Sequence, residues 1–547
     1  MKLIYLLLIA CFLIACNTSK KSTSDTSQIP ETENLYFSKV DFKKNKVTPD
    51  DYVTSFTLNK DAFLNIHFTL DKPLVESLKL LEPSFTEEEL LSKGNFQFSI
   101  LVDGEKIHIE NLNNGAGTKD SKITRLNHTI PLAYPEQIDF WGWFMWLKFM
   151  KLNGGEDLLT EGNHSLTIEI RAYIKEKTLK VGSILAKGNI AIEVAKIPVD
   201  ESLVPVQKIQ TGSDWQLSND SFDVHKIEAL NRKIAEKRFE NINGIIVVKE
   251  NKLLIEEYFN GEDRNSLHDS RSVGKSFAST MLGIAIEENH IANEKVLLSD
   301  FYNLKSFENY SRKKDSVTLE SLLTMSSGFV GDDSDYSNPG NEENMYPTGN
   351  WVKFSLDLPM HKTKRIGEDF TYFTPGVVIL GDIIHKSVPD GFVSYADEKL
   401  FAPLNITNYK WQYTPQKVAN TAGGIQLRAI DFAKYGQVYK NKGRWNGKQI
   451  ITEKWVEKSL SKQVSQVYAG IKDGYYGYLF WNKTYTVNGK DYQVSFCSGR
   501  GGNKIFIFKD IPFVVVITSS AYNNPRAHPN VDKIMEEYIL PAIIKKE

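Results

Sequence analysis

The rhythm of apolar and polar positions changes character near residue 200. From 46 to 199 it is mostly of period two. Phe63-Leu64-Asn65-Ile66-His67-Phe68-Thr69-Leu70 alternates, as do Ser165–Ile170 and Asn189–Val194. Phe96–Val102 is followed by Asp103-Gly104 and then Lys106–Ile109, the pattern of a hairpin. These runs predict an all-β, sandwich-like accessory domain. Beyond a linker at 200–222, with Pro205, Gly212, Ser213 and Asp214, the pattern becomes mixed from 223 to 547. A polar helix is expected over Val224–Arg238, and Gly244–Val248 with Leu253–Ile255 reads as a hairpin around Glu250-Asn251. Thr318 to Gly328 reads as a short helix capped by the threonine and stopped by the glycine. Thr374-Pro375 reads as an N-cap and first helical residue before Val377–Ile384. Strands return at 475–481, 493–496, 504–508 and 513–518, and a helix at 531–539 follows. This order predicts an α+β domain: one antiparallel sheet built from both ends, with a helical subdomain inserted.

Phe140-Trp141-Gly142-Trp143-Phe144-Met145-Trp146-Leu147 departs from the alternation. With Trp141, Trp143 and Trp146 so close together it reads either as an interfacial or ligand platform or as a short core element, and the core element is favoured. Asp139 and Lys148 flank it too closely for a membrane span.

The candidate chemistry begins where a long helical periodicity starts. Val273, Phe277, Met281, Ile284 and Ala285 recur at helical spacing, which puts Ser272 at or near the first turn. Lys275 lies three residues on, so its amine can reach the serine oxygen. Ser-x-x-Lys is compatible with an ordinary helix start, a phosphate-binding loop or acyl transfer. The phosphate loop needs a glycine five residues before Gly274, where Asp269 stands. Acyl transfer needs a base for the serine and a second proton-handling group. Tyr372 could serve as the latter if nearby cations depress its pKa. Ser498-Gly499-Arg500-Gly501-Gly502-Asn503 precedes the strand Lys504–Phe508, and its small residues would let a strand edge approach a substrate.

Residues from about 240 to 540 resemble the serine β-lactamase and penicillin-binding-protein-like superfamily, nearest its class C branch of β-lactamases, esterases and D-amino-acid peptidases. The likeness is carried by Arg271–Phe277, Thr318–Gly328, Tyr372 with Pro375-Gly376, Ala402-Pro403-Leu404, Thr421–Gln426 and Arg500-Gly501-Gly502. The resemblance implies Ser272 as nucleophile, Lys275 as its base and Tyr372 as the group that protonates the leaving group and activates water. It implies an oxyanion hole from the backbone amides of Ser272 and Asn503. Arg500, Gly501 and Gly502 would form the third substrate-facing box, and Thr374 would end the second. Thr374 stands where the family often has Asn, and Arg500-Gly501-Gly502 stands for Lys-Thr-Gly, so a hydroxyl that helps bind a carboxylate would be lost. These departures favour a small amide or ester, or a peptidoglycan-derived substrate, over efficient β-lactam destruction. The alternatives are a penicillin- or peptidoglycan-binding lipoprotein without turnover and a true class C-like β-lactamase.

Met1-Lys2, the apolar run Leu3–Ala15 and Cys16 resemble a bacterial lipoprotein signal of residues 1–16, with Cys16 as the lipidated residue. Residues 17–45 read as a flexible tether. The expected localisation is the cell envelope, with membrane attachment through the lipid anchor alone. A net charge of −2 and the lack of a basic, aromatic-laced block argue against nucleic acid. No His or Cys cluster has metal-ligand spacing, so neither metal nor cofactor is expected.

Overall fold

The computed structural model describes residues 34–544 except 42, 44, 45, 60, 137 and 467–473. The expected signal, Cys16 and most of the tether lie outside the described residues. The chain divides into two compact units, the first ending at Ile197 and the second beginning at Pro198.

The first unit contains two sheets. One has four strands in the order Tyr52–Val53, Leu35–Ser38, Leu64–Thr69, Asn127–Ala133. The other has five, in the order Ser55–Leu58, Leu179–Val194, Gly162–Lys175, Gly94–Val102, Glu105–Asn111. Apolar side chains of both, among them Phe37, Ile66, Phe98, Ile168 and Ile190, share one buried cluster, as a sandwich requires. Leu35–Ser38 pairs with Leu64–Thr69, so the ordered unit begins inside the stretch expected to be tether. Its sequence, Leu-Tyr-Phe-Ser, is too apolar for a solvated linker. The tryptophan-rich run forms the helix Trp141–Leu152, whose Met145, Trp146 and Phe149 are buried in that cluster. This is the core element favoured from the sequence. Among the described residues no helix is long and apolar enough to cross a membrane.

The second unit is built on a nine-stranded sheet. Its order is Gln216–Leu217, Lys252–Tyr258, Ile242–Lys249, Phe513–Ser519, Asn503–Phe508, Lys490–Gly499, Trp481–Val487, Tyr475–Tyr476, Val464–Ser465. Strands from both ends of the domain therefore meet at its centre. The strands from residue 242 onward pair antiparallel as expected, and Gln216–Leu217, from the stretch read as linker, adds a parallel edge strand. The stretch expected as one strand over 475–481 is two, separated by a turn with Leu479 at φ +63°. Helix Ala429–Lys440 packs on the central strands, and helix Gly274–Glu287 packs beside Thr374–Ser387 in the inserted helical part.

Helix Gly274–Glu287 is buried along nearly its whole length, the polar Lys275, Ser276, Ser279 and Thr280 included. Phe277 stacks on Tyr435 with ring centroids 3.9 Å apart and so joins helix Gly274–Glu287 to helix Ala429–Lys440. The short helix after Thr318 is Leu319–Leu323, capped as expected by the Thr318 hydroxyl accepting from Ser321 N. It ends before Gly328, where Met325 at φ +54° breaks the helical path. Phe277→Ala is expected to cost about 3–5 kcal/mol, read as a lower urea midpoint for the transition of the second unit.

Candidate active site

Ser272 sits in a tight turn, Arg271–Val273, that leads directly into helix Gly274–Glu287. Arg271 has φ +47°, a strained conformation for a residue with a side chain. It is held there by its N–H to Asp269 Oδ1 at 3.0 Å, and its guanidinium lies 4.5 Å over the Tyr522 ring. Two glycines allow other segments to press on this turn. A Cβ on Gly423 would lie 2.7 Å from the Arg271 carbonyl, and one on Gly499 would lie 2.3 Å from Ser270 O and 3.2 Å from Ser272 N. Backbone thus meets backbone on two sides of the nucleophile.

Lys275 Nζ lies 2.7 Å from Ser272 Oγ and donates to the Ala422 carbonyl at 2.7 Å. The residue is 1% exposed. Burial drives its pKa below the usual lysine range, against the smaller opposing pull of Glu342 and Asp333. The amine also lies 5.4 Å over the Tyr372 ring. The Tyr372 hydroxyl shares a hydrogen bond with Ser272, and its ring stacks on Trp481 at 5.5 Å. Its pKa moves opposite to the sequence expectation: burial raises the phenol well above the ordinary 10, and the hydrogen bond to Ser272 lowers it only in part. Tyr372 is consequently a proton donor at neutral pH.

Two cavities meet at Ser272. One, of about 420 Å³, is lined by Arg271, Glu342, Tyr346, Trp351, Asn420 and Gly423 among others. The second, of about 260 Å³, includes Asp333, Glu342, Tyr372, Trp481, Ser498, Gly499 and Arg500. Arg500, expected in the third box, lines both. The remainder of that box is corrected by two residues. Ser498 and Gly499, at the end of strand Lys490–Gly499, face the nucleophile, so a hydroxyl is present after all. Gly501 and Gly502, at φ +86° and +95°, form the turn to the next strand, packing near Tyr522 and Ala527. Asn503 lies one strand further in, 3% exposed, with its side chain donating to Arg500 O and Ser519 O. It lines neither cavity, so its amide is not placed beside Ser272 as an oxyanion donor. Thr374 is also set apart from both cavities. It is the first residue of helix Thr374–Ser387 and fully buried, with Phe373 as the N-cap.

Asp333 was not singled out by the sequence, and it holds the tyrosine in place. Its N–H donates to Tyr372 O at 3.0 Å, Oδ2 accepts Thr374 N–H at 2.7 Å, and Oδ1 accepts Glu342 N–H at 2.9 Å. Cys497, beside the box, is buried and its thiol is pushed up to about 12, which leaves it inert at neutral pH.

The Beta-lactamase family model matches residues 232–538. No curated protein matches the chain. Among solved structures, the octameric penicillin-binding protein homologue from Pyrococcus abyssi is 19% identical, with a TM-score of 0.45, covering 57% of this chain and 76% of its own. The penicillin binding protein from Bacillus halodurans is 16% identical, with a TM-score of 0.42, covering 55% and 96%. A D-stereospecific amidohydrolase from Streptomyces sp. is 12% identical, with a TM-score of 0.42, covering 54% and 93%. The matched segment is more than half of the 547 residues and contains Ser272, Lys275 and Tyr372, and on that match the chain belongs to the beta-lactamase family.

Proposed function

We propose that the second unit is a serine hydrolase that cleaves a small amide or ester through a covalent acyl-enzyme on Ser272. The observation that carries this reading is the buried Lys275 amine, 2.7 Å from the Ser272 oxygen in a cavity wall. Desolvation favours the neutral amine, the form that can accept the serine proton. As Ser272 Oγ bonds the acyl carbon, its proton passes to Lys275 Nζ. The carbonyl oxygen gains negative charge and is met by the Ser272 N–H and by a backbone amide at the Gly499–Arg500 strand end. The bond from acyl carbon to leaving atom then breaks, and that atom takes a proton from the Tyr372 hydroxyl, which is re-protonated from the Lys275 ammonium. Water attacks the acyl-enzyme by the reverse route, losing a proton to the Tyr372–Lys275 pair, and Ser272 recovers its own proton. A carboxylic acid is released.

The envelope lipoprotein reading remains part of the proposal for the whole chain, with Cys16 as the anchor. It is tested by labelling the expressed protein with a fatty-acid probe and asking whether Cys16→Ala removes the label.

A fluorophosphonate probe should label the full chain, and Ser272→Ala and Lys275→Ala should each abolish labelling. Tyr372→Phe should slow ester turnover by about 10²–10⁴-fold; an unchanged rate would remove the tyrosine from the mechanism. Labelling should accelerate with rising pH, because the deprotonated amine is the active form. Since burial lowers the lysine pKa, the inflection should fall well below 10.5. The raised Tyr372 phenol should impose no falling limb below pH 10. Gly499→Ala should slow labelling by about 10²-fold, because its methyl would push the strand end away from the nucleophile.

A further inference from the structure

Acyl transfer at Ser272 makes no use of Glu342. Its side chain lines both cavities and accepts a hydrogen bond from the Tyr346 hydroxyl at 2.7 Å. No cationic side chain forms an ion pair with it among the described residues. Asp333 backs it, holding the Glu342 N–H on Oδ1. Other charges at the cavity are matched: Arg500 faces Glu343 at 3.6 Å, and Arg271 faces Asp269 at 3.3 Å. The nearby cation left over is Lys275, which must be uncharged to serve as base. Burial, and then the charge of Glu342, push the Asp333 carboxyl up to about 6.

A second, independent group lines the larger cavity. Asn420 is only 8% exposed and its Oδ1 accepts the Ala422 N–H at 3.1 Å. Its Nδ2 has no acceptor among the described residues. The pocket beside the nucleophile thus holds a carboxylate without a cation and an amide donor without an acceptor.

Resting on the hydrolase reading, we propose that the substrate is a small aminoacyl amide or ester whose acyl part carries a protonated amine, with the ammonium docking on Glu342 and an acyl-side carbonyl oxygen accepting from Asn420 Nδ2. The cationic end also acts on the base. Glu342 and Asp333 favour the charged form of Lys275, and an ammonium placed against them offsets that field and returns the lysine to its neutral form. A substrate whose acyl part presented a carboxylate at this place would set like charges together.

The test compares alanine p-nitroanilide with its N-acetylated counterpart, in both enantiomers, on the full chain. p-Nitrophenyl butyrate serves as the uncharged control. One of the free-amine enantiomers is expected to be preferred over its acetylated form by at least about 10-fold in kcat/KM, with the preference collapsing in Glu342→Gln. Butylamine should inhibit butyrate cleavage by the wild-type chain competitively, and butanol should not, which keeps the test independent of the variant's folding. Equal rates for free and acetylated anilides, with butyrate cleaved and that cleavage lost in Ser272→Ala, would overturn the ammonium site and leave the hydrolase standing. A preference retained in Glu342→Gln would overturn it as well. Failure of both butyrate cleavage and fluorophosphonate labelling would overturn the hydrolase reading, and this proposal with it.

Discussion

An amine withdrawn from water is the constraint on which the second unit depends. Lys275 keeps one hydrogen-bond partner in the Ala422 carbonyl and one in the Ser272 hydroxyl. Both are neutral, and neither compensates a full positive charge as a carboxylate would. The environment therefore favours the free base, the form the proposed mechanism needs. Nearly everything around it serves that end: a helix buried along most of its length, a glycine that lets the 420–424 segment close in, and a tyrosine ring over the amine.

The acidic residues of the 331–345 loop work against the same constraint. Asp333 ties the backbone at Tyr372, Thr374 and Glu342 together with one hydrogen bond to each, which is a structural service. Its charge and that of Glu342 oppose the neutral lysine. If Lys275 is the base proposed above, carboxylates so close to it are either tolerated or cancelled by a bound ligand. The unfilled donor on Asn420 points to the ligand.

The triple Ser272, Lys275 and Tyr372 was legible because two of its members lie one helical turn apart and the third sits just before a recognisable Thr-Pro helix start. The hairpins were legible from period two. The third box was misplaced because Ser498–Asn503 is small and polar throughout, and composition alone does not tell a strand end from the turn after it. The ladder settles it, pairing Gly499 with Asn503 and leaving Gly501 and Gly502 in the turn. The direction of the Tyr372 shift was missed because cations were assumed to dominate, whereas burial does. Asp333 and Glu342 lie in a loop with no periodicity, and their importance arises only from where the chain returns to Tyr372. The strand Leu35–Ser38 was missed because it is only four residues long and follows a polar run.

Residues 423 and 499, which crowd the nucleophile turn, lie about 150 and 230 positions downstream of Ser272 in the sequence. Neither can arrive until the late strands have paired with those laid down first. During synthesis, then, the alcohol at 272 remains an unremarkable hydroxyl in water until those segments close on it. The surroundings proposed to activate it are thus completed only by parts of the chain made well after it.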